Sequence, residues 1–355
     1  MRQTRNICAA PRIVYSRDMK RFWILLVIVL MSCAAQPTAT STPRATVPNA
    51  TATRTPAAQI ISPTATIAPT RTTAPTLAAT RAPTASPTAK TADPVIVGAG
   101  DIAVCGASGD DATAQLLDKI DGIVYTLGDN VYQSGTAKQF QECYDPTWGR
   151  HKARTYPIPG NHDYATENGK PYYAYFGARA GEPGKGYYSF DVGAWHSVAL
   201  NSEIDTSENS AQVQWLRDDL AQHPARCTLA MFHRPLFSSG LHGDDADRIK
   251  MRALWDVLYE NNADVILNGH DHAYERFAPQ NPQGERDDAR GIRAFVVGTG
   301  GGVPYVVRNI KPNSENRIAA MYGVLQLTLH DNSYDWQFIP ITRSLFSDSG
   351  TGACH

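Results

Sequence analysis

Apolar residues in 94–355 occur in short runs separated by amphipathic stretches. Five of these runs predict buried strands, because each is short, apolar and bounded by a glycine or a polar residue. They cover 94–98, 122–127, 155–159, 227–232 and 263–268. Three stretches between them, 111–120, 210–222 and 247–259, carry apolar side chains at helical spacing. This order of strands and helices predicts parallel pairing with crossover helices.

Other segments favour antiparallel hairpins, in which apolar and polar side chains alternate. The predicted hairpins pair 187–192 with 195–201, and 323–329 with 334–339. A further strand at 293–297 leads into a run of glycines at 298–302. We therefore expect an α/β domain with two mixed sheets covered by helices, and not a single parallel sheet.

The first 33 residues have the pattern of an export signal. A basic segment at 19–21 precedes the apolar run 22–31, which is too short to span a bilayer. The four residues at 30–33 resemble a bacterial lipobox, in which the cysteine is acylated and becomes the new N-terminus. We therefore expect an extracytoplasmic protein that is attached to the bacterial cell membrane through lipid on Cys33. The alternative is an ordinary cleaved signal and a secreted protein.

Residues 34–93 differ in composition from the rest of the chain. Thr, Pro and Ala dominate, and no aromatic residue occurs. Such a segment cannot bury enough apolar surface to become ordered, so we expect a disordered tether, with a glycosylated stalk as the alternative. The chain then divides into a signal with lipobox at 1–33, the tether at 34–93 and one large domain at 94–355. Either Met1 or Met19 is the start.

Charge and cysteine content narrow the possible functions. The chain has 33 basic and 34 acidic residues, a balance that gives no reason to expect nucleic-acid binding and says nothing of the oligomeric state. After export, four cysteines of the domain would meet an oxidising environment. They allow three pairings, of which we favour Cys105 with Cys143 and, by elimination, Cys227 with Cys354. A thiolate metal site is the alternative, although no closely spaced cysteine pair supports it.

Potential metal ligands follow most of the predicted strands. Side chains from several strand ends can meet at the carboxyl edge of a sheet. Seven ligands are too many for one ion and suit two. The candidates are Asp101, Asp129, Tyr132, Asn161, His233, His270 and His272.

Spacing supports some of these candidates more than others. His270 and His272 alternate after a strand and a glycine, so an extended segment places both imidazoles on one side. Neighbours in sequence cannot easily bind the same ion, so we assign Asn161 as a ligand and His162 as an adjacent substrate group. Asp163 is expected to orient the His162 imidazole, as carboxylates often do.

Together these blocks resemble the calcineurin-like metallophosphoesterases, and Tyr132 makes the chain most similar to the purple acid phosphatase branch. The resemblance implies a four-layer α/β/β/α sandwich with two metal ions, iron paired with iron, zinc or manganese. It assigns Asp101, Asp129, Tyr132 and His272 to one ion, and Asn161, His233, His270 and shared Asp129 to the other. The chain departs from the wider superfamily at Ala103, where many members place a ligand histidine. Tyr132 supplies the missing donor.

The resemblance also implies a reaction, in which a metal-bound hydroxide attacks a small phosphate ester. His162 and His242 are candidates for phosphate contact and leaving-group protonation, and an acid phosphatase-like phosphomonoesterase is the expected activity. The alternatives are a phosphodiesterase or nucleotide-cleaving enzyme on the same centre, and a surface lipoprotein that binds without turnover. The glycine run at 298–302 lacks the lysine of a phosphate loop, so we expect a tight connection near the site. Arg276 is expected to form a structural ion pair with Glu275 or another acid.

Overall fold

The structure is a computed structural model that describes residues 92–355. The predicted signal, the lipobox and nearly all of the tether lie outside the described residues. Within 92–355, none of the helices has both the length and the apolar character needed to cross a bilayer.

Fifteen strands and six α-helices form the described part of the chain. The strands are β1 Val95–Ala99, β2 Ala103–Val104, β3 Ile123–Leu127, β4 Val131–Tyr132, β5 Thr155–Ile158, β6 Tyr188–Val192, β7 Trp195–Ala199, β8 Cys227–Met231, β9 Val265–Asn268, β10 Tyr274–Phe277, β11 Arg293–Val297, β12 Ser314–Ile318, β13 Gly323–Leu329, β14 Ser333–Pro340 and β15 Ser349–Ala353. The helices are α1 Gly109–Leu117, α2 Ala137–Gln139, α3 Asn161–Tyr164, α4 Lys170–Phe176, α5 Ala211–Gln222 and α6 Arg252–Glu260.

Two mixed sheets contain nearly all of these strands. The first has the order β15-β14-β13-β1-β3-β5, and the second has the order β12-β10-β11-β9-β8-β7-β6. Within the first sheet β1, β3 and β5 are parallel, and within the second β7, β8, β9 and β11 are parallel. The remaining strands pair antiparallel, apart from the small parallel pair β2 and β4. The expected pair of mixed sheets is confirmed.

Side chains of the second sheet alternate between two apolar cores. On β8, Leu229 and Met231 join the core that contains the first sheet, whereas Ala230 packs in the core that contains α5 and α6. This alternation follows from the two-residue period of a strand. The second sheet therefore has the first sheet on one face and helices on the other, as the predicted layered sandwich requires.

Most predicted elements are present, and the differences lie at their ends. Helix α5 begins where predicted because the Ser210 hydroxyl accepts a hydrogen bond from the Val213 amide and caps the helix. The helix predicted at 247–259 instead consists of a 3₁₀ turn, Ala246–Met251, followed by α6. The helix predicted at 111–120 is shifted toward the N-terminus, as α1.

Two disulfides connect distant parts of the domain. Cys105 bonds to Cys143, and Cys227, at the start of β8, bonds to Cys354. The favoured pairing is confirmed. The Arg276 guanidinium forms ion pairs with Asp348 and with another acid, not with its neighbour in sequence. The expected structural use of Arg276 is therefore confirmed.

A buried histidine joins β7 to α5 and makes the stability of the domain pH-dependent. The Nε2 atom of His196 lies 2.8 Å from Oδ2 of buried Asp219, and Nδ1 lies 2.9 Å from Oδ1 of exposed Asp191. The hydrogen bond with Asp219 raises the pKa of His196 above 6.5, against the effect of burial. The charged pair therefore stabilises the fold fully below pH 6.5, and the stabilisation is lost as the pH rises through the raised pKa.

His196→Gln should lower the free energy of unfolding by about 2 kcal/mol at pH 6, because Asp219 loses a charged partner. The penalty should shrink as the pH increases from 6 to 9.5. Urea unfolding of both proteins across this range measures it. Asp191→Asn is the control, since its carboxylate is exposed and should change stability by less than about 1 kcal/mol. An equal penalty at both ends of the range would contradict the assignment.

Candidate metal centre

The candidate ligands meet because both sheets direct the carboxyl ends of parallel strands to one place. Asp101 and Asp129 lie two residues beyond β1 and β3, and Asn161 follows β5 at the start of α3. His233 and His270 lie two residues beyond β8 and β9 of the second sheet. Neighbouring parallel strands bring their following residues together at one sheet edge. The structure thus collects side chains from five strands of two sheets.

The backbone is left-handed at three of these positions, each directly after a glycine. The φ angles are 59° at Asp101, 48° at Asp129 and 72° at His270. An L-residue in this region costs about 1–2 kcal/mol, and such residues concentrate at functional sites. A hydrogen bond across the sheets offsets part of this cost, because the His270 amide donates to Asp101 Oδ2 at 2.8 Å.

One set of candidate metal ligands surrounds the Tyr132 hydroxyl, and we call it the first donor set, in the sense of atoms that can bind a metal ion. Tyr132 Oη lies 2.8 Å from Asp101 Oδ1, 3.1 Å from Asp129 Oδ2 and 2.9 Å from His272 Nε2. His272 Nε2 also lies 3.3 Å from Asp101 Oδ1. All four side chains are buried. Four candidate ligands predicted from distant segments therefore form one cluster of oxygen and nitrogen atoms.

A second set surrounds the Nε2 atom of His233. This nitrogen lies 3.1 Å from Asn161 Oδ1, 3.2 Å from His270 Nδ1 and 3.4 Å from Asp129 Oδ2. Asp129 Oδ2 is the same atom that contacts Tyr132. One carboxylate oxygen therefore faces both sets, an arrangement that suits two neighbouring ions.

Backbone carbonyls hold two of the imidazoles with Nε2 turned toward the other donors. His233 Nδ1 donates to the Leu127 carbonyl at 2.7 Å, and His272 Nδ1 donates to the Val303 carbonyl at 2.6 Å. In the neutral tautomer with the proton on Nδ1, each Nε2 atom carries a lone pair. Metal-ligating histidines bind their ion through such a lone pair. These lone pairs face carboxylate and amide oxygens, which also accept. A buried group of acceptors requires positive charge, so the residues present fit two metal ions.

Electrostatics of the protein groups agrees with this requirement. Burial disfavours the charged form of His233, but the negative charge of Asp129 outweighs it and raises the pKa of His233 to about 10. Burial and the charges of Asp101 and Asp129 raise the pKa of Tyr132 well above its ordinary value. The centre therefore attracts a cation, and an ion that binds Tyr132 as phenolate must displace a tightly held proton.

The histidine at 162 flanks the first donor set. Its ring centroid lies 4.5 Å from that of Tyr132, and its Nε2 atom lies 3.9 Å from Asp129 Oδ2. Its Nδ1 atom donates to the Gln133 carbonyl at 2.6 Å. The predicted orientation of this imidazole by Asp163 is wrong, because a backbone carbonyl has that role.

Asp163 instead fixes the loops that carry the ligands. Its carboxylate accepts hydrogen bonds from the amides of Asn130 and Gly160 and from the Asn130 side chain. Burial and the nearby charge of Asp129 raise the pKa of Asp163 to about 7. Asp163 therefore joins the segment after β3 to the segment after β5, and holds Asp129 beside Asn161.

The histidine at 242 flanks the second donor set. Its ring centroid lies 4.3 Å from that of His270, and its Nδ1 atom lies 2.7 Å from Asp245 Oδ2. The His242 amide donates to Asp271 Oδ1 at 2.9 Å. The two predicted substrate histidines therefore stand at opposite donor sets, each with Nδ1 held and Nε2 left for other contacts.

Sequence reasoning missed two groups at this centre. Arg234 Nη1 lies 3.3 Å from His270 Nε2, while its Nε atom donates to the Glu203 carboxylate at 2.9 Å. The Tyr305 ring stacks on the His272 ring with centroids 3.9 Å apart. Arg234 could have been found from the sequence, because it directly follows the candidate ligand His233. For Tyr305 the only sequence signal was its position close to the glycine run. That run contacts the centre, because the Gly302 amide donates a hydrogen bond to the Asp101 carbonyl.

Two mixed sheets that place six further candidate ligands around the Asp129 carboxylate define an α/β protein with a candidate metal centre. Residues 94–274 match the calcineurin-like phosphoesterase family, and the chain belongs to it. The predicted resemblance and the predicted sandwich fold are thereby confirmed.

Plant purple acid phosphatases are among the similar proteins. Purple acid phosphatase 15 of Arabidopsis thaliana is 31% identical over 217 residues, which cover 50% of this chain and 41% of the relative. Purple acid phosphatase 23 of the same plant is 31% identical over 155 residues, covering 38% of this chain and 34% of the relative. The matched region thus spans less than half the length of these curated relatives. The family and its relatives support a metal-dependent phosphoesterase.

Solved structures share the fold. A purple acid phosphatase from yellow lupin superposes with a TM-score of 0.60 at 20% identity, over 74% of this chain and 54% of that chain. GAP50, described as the anchor in the inner membrane complex of Plasmodium, superposes with a TM-score of 0.56 at 13% identity, over 75% of this chain and 90% of that chain.

The tight approach of Gly128 to His233 provides a test of the second donor set. A Cβ atom at Gly128, where φ is +81°, would lie 2.6 Å from His233 Nδ1. Gly128→Ala should therefore displace the imidazole and reduce bound metal from about two ions per chain to about one. Elemental analysis of the purified protein measures this content.

Gly184→Ala is the matched control for this substitution. Gly184 has φ of +84°, and its Cβ would meet no atom within 4 Å. Both variants carry the same left-handed alanine, which costs about 1–2 kcal/mol. Equal metal content in the two variants would contradict a role for His233 in binding.

Proposed function

We propose that this chain is an extracytoplasmic phosphomonoesterase with two metal ions. The observation that carries the proposal is the shared Asp129 Oδ2, which lies within 3.4 Å of Tyr132 Oη and of His233 Nε2. Asp101, Tyr132 and His272 would hold one ion, and Asn161, His233 and His270 the other. When bound, two such ions supply positive charge to phosphoryl oxygens and make a water molecule a stronger nucleophile.

The flanking histidines would complete the reaction. With Nδ1 of His162 held by a carbonyl, its Nε2 atom is the one that can contact a phosphoryl oxygen. With Nδ1 of His242 held by Asp245, its Nε2 atom is the one that can deliver a proton. As the oxygen of water bonds to phosphorus and a proton of that water passes to solvent, the bond to the alcohol oxygen breaks, and the alcohol oxygen takes the proton from His242.

The location outside the cytoplasm is part of the proposal. Two disulfides link segments 38 and 127 residues apart, and such bonds persist in oxidising environments. An export signal at 1–33 and lipid on Cys33 would place the domain at the cell surface on its tether. The two disulfides support export, whereas the anchor itself rests on the lipobox.

A binding protein without turnover is the competing function. Probable inactive purple acid phosphatase 9 of Arabidopsis thaliana is 34% identical over 122 residues, which cover 32% of this chain and 19% of that relative. Loss of metal ligands would favour that function, yet the chain has a residue able to bind metal at all seven candidate positions, and His162 and His242 flank them. Catalysis is therefore the better-supported function.

The proposal is tested by metal analysis and hydrolysis assays on the full chain. Loading with iron and zinc, or with manganese, should give about two ions per chain and release phosphate from an aryl phosphate monoester. Tyr132→Phe should abolish any visible phenolate-to-iron absorption while the protein remains folded. Absence of hydrolysis in the loaded protein would overturn the proposal, and a preference for a bis-aryl diester would replace monoesterase with diesterase.

His242→Gln should reveal whether His242 protonates the leaving group. Loss of a general acid typically slows a reaction by about 10²-fold or more when the leaving alcohol is poor. We therefore expect a loss of about this size with an alkyl phosphate and a much smaller loss with a nitrophenyl phosphate. His223→Gln, at the end of α5, is the control. Equal losses on the two substrates would assign His242 to phosphate binding.

A further inference from the structure

Exposed apolar side chains concentrate on two loops beside the candidate centre. Six large apolar side chains are exposed in residues 92–355. Four of them lie on the loops at 238–245 and 303–311: Leu241, Val303, Val306 and Ile310. Single exposed apolar residues need no explanation, but a local concentration marks a contact surface.

The two loops are fixed to each other and to the centre. The Arg308 amide donates to the Ser239 carbonyl at 2.8 Å, and the Lys311 amide donates to Ser239 Oγ at 2.9 Å. Buried Glu275 accepts from the Ser239 amide at 2.8 Å. The apolar side chains are thus presented by anchored backbone.

Tyr305 connects this apolar surface to the reacting groups. Its ring covers the His272 ring, with planes 6° apart, and its centroid lies 5.5 Å from that of His242. Val303 and Val306 flank Tyr305 in sequence, and Leu241 precedes His242. We call Leu241, Val303, Tyr305 and Val306 the apolar rim. Tyr305 brings this rim next to His242, the imidazole that would protonate the leaving alcohol.

Charges near the rim do not favour a highly anionic leaving group. The Lys311 ammonium pairs with Asp244, and the Arg234 guanidinium pairs with Glu203. On these two loops, Arg308 is the exposed cationic residue whose side chain forms neither an ion pair nor a hydrogen bond with another residue of 92–355. One such cation is few for a nucleotide polyphosphate, whereas four apolar side chains suit a hydrocarbon or aryl group.

We propose that the apolar rim binds the leaving group and that the preferred substrates are phosphate monoesters of apolar alcohols. This inference rests on the proposed function. Alkyl alcohols have nearly equal acidity, so the length of the chain reports contact and not reactivity. Full burial of one methylene is worth about fourfold in kcat/KM, and burial against an open rim about twofold.

The experiment measures phosphate release from ethyl, butyl and hexyl phosphate by the full-length, metal-loaded protein. We expect kcat/KM to rise about sixteenfold from ethyl to hexyl phosphate, because hexyl phosphate has four more methylenes and each adds about twofold. Val306→Ser and Val303→Ser should each reduce this ratio, and together bring it to about threefold or less. Ile249→Ser and Leu345→Ser are matched controls, because both residues are exposed but lie outside the two loops. The controls should keep the wild-type ratio.

The outcomes separate this inference from the proposed function. No hydrolysis of any ester would overturn the proposed function itself. Hydrolysis without dependence on chain length, or a ratio unchanged by the valine substitutions, would overturn the inference alone. A preference for nucleoside triphosphates that is lost in Arg308→Gln would also overturn it. The inference would also be overturned if Val306→Ser lost binding to phosphatidylglycerol vesicles but kept the wild-type ratio of kcat/KM for hexyl over ethyl phosphate. The rim would then contact a membrane and not the leaving group.

Discussion

The structure depends on a buried group of hydrogen-bond acceptors that face one another. Asp101, Asp129 and Asn161 contribute oxygen atoms, and His233 and His272 contribute imidazole nitrogens whose opposite ring atoms already donate to carbonyls. Such a group is unfavourable unless protons or metal ions supply positive charge. The requirement explains why Tyr132 keeps its proton and why the pKa of His233 is raised. Cation binding and the integrity of this region are therefore linked.

The same atoms also join the two sheets. His233 of the second sheet donates to the Leu127 carbonyl of the first, and the His270 amide donates to Asp101 Oδ2. Glycines make this approach possible, since a side chain at Gly128 or Gly269 would overlap the opposite sheet. The centre therefore joins the two sheets as well as forming a candidate active site. Its geometry is fixed because the backbone segments of the two sheets are hydrogen-bonded to each other there.

Local signals explain why much of this could be predicted from the sequence. A polar residue after an apolar run and a glycine is visible without knowledge of the fold, which is why Asp129 and His270 could be predicted as candidate ligands. Partners distant in sequence could not be. Asp163 bonds to Asn130, 33 residues away, and Glu203 pairs with Arg234. Strand β15 has a glycine-rich sequence of low strand propensity, and pairing with β14 makes it a strand.

The segment that carries His270 and His272 constrains both donor sets and the loop that carries His242. Asp271, between them, accepts from the His242 amide, and a side chain at Gly240 would overlap its carboxylate. Glu275 holds the same loop farther along. Side chains that project from these loops into solvent are free of such constraints. Substrate preference can therefore change at positions such as Val306 without disturbing the donors, whereas a change at Asp271 would move the flanking histidine.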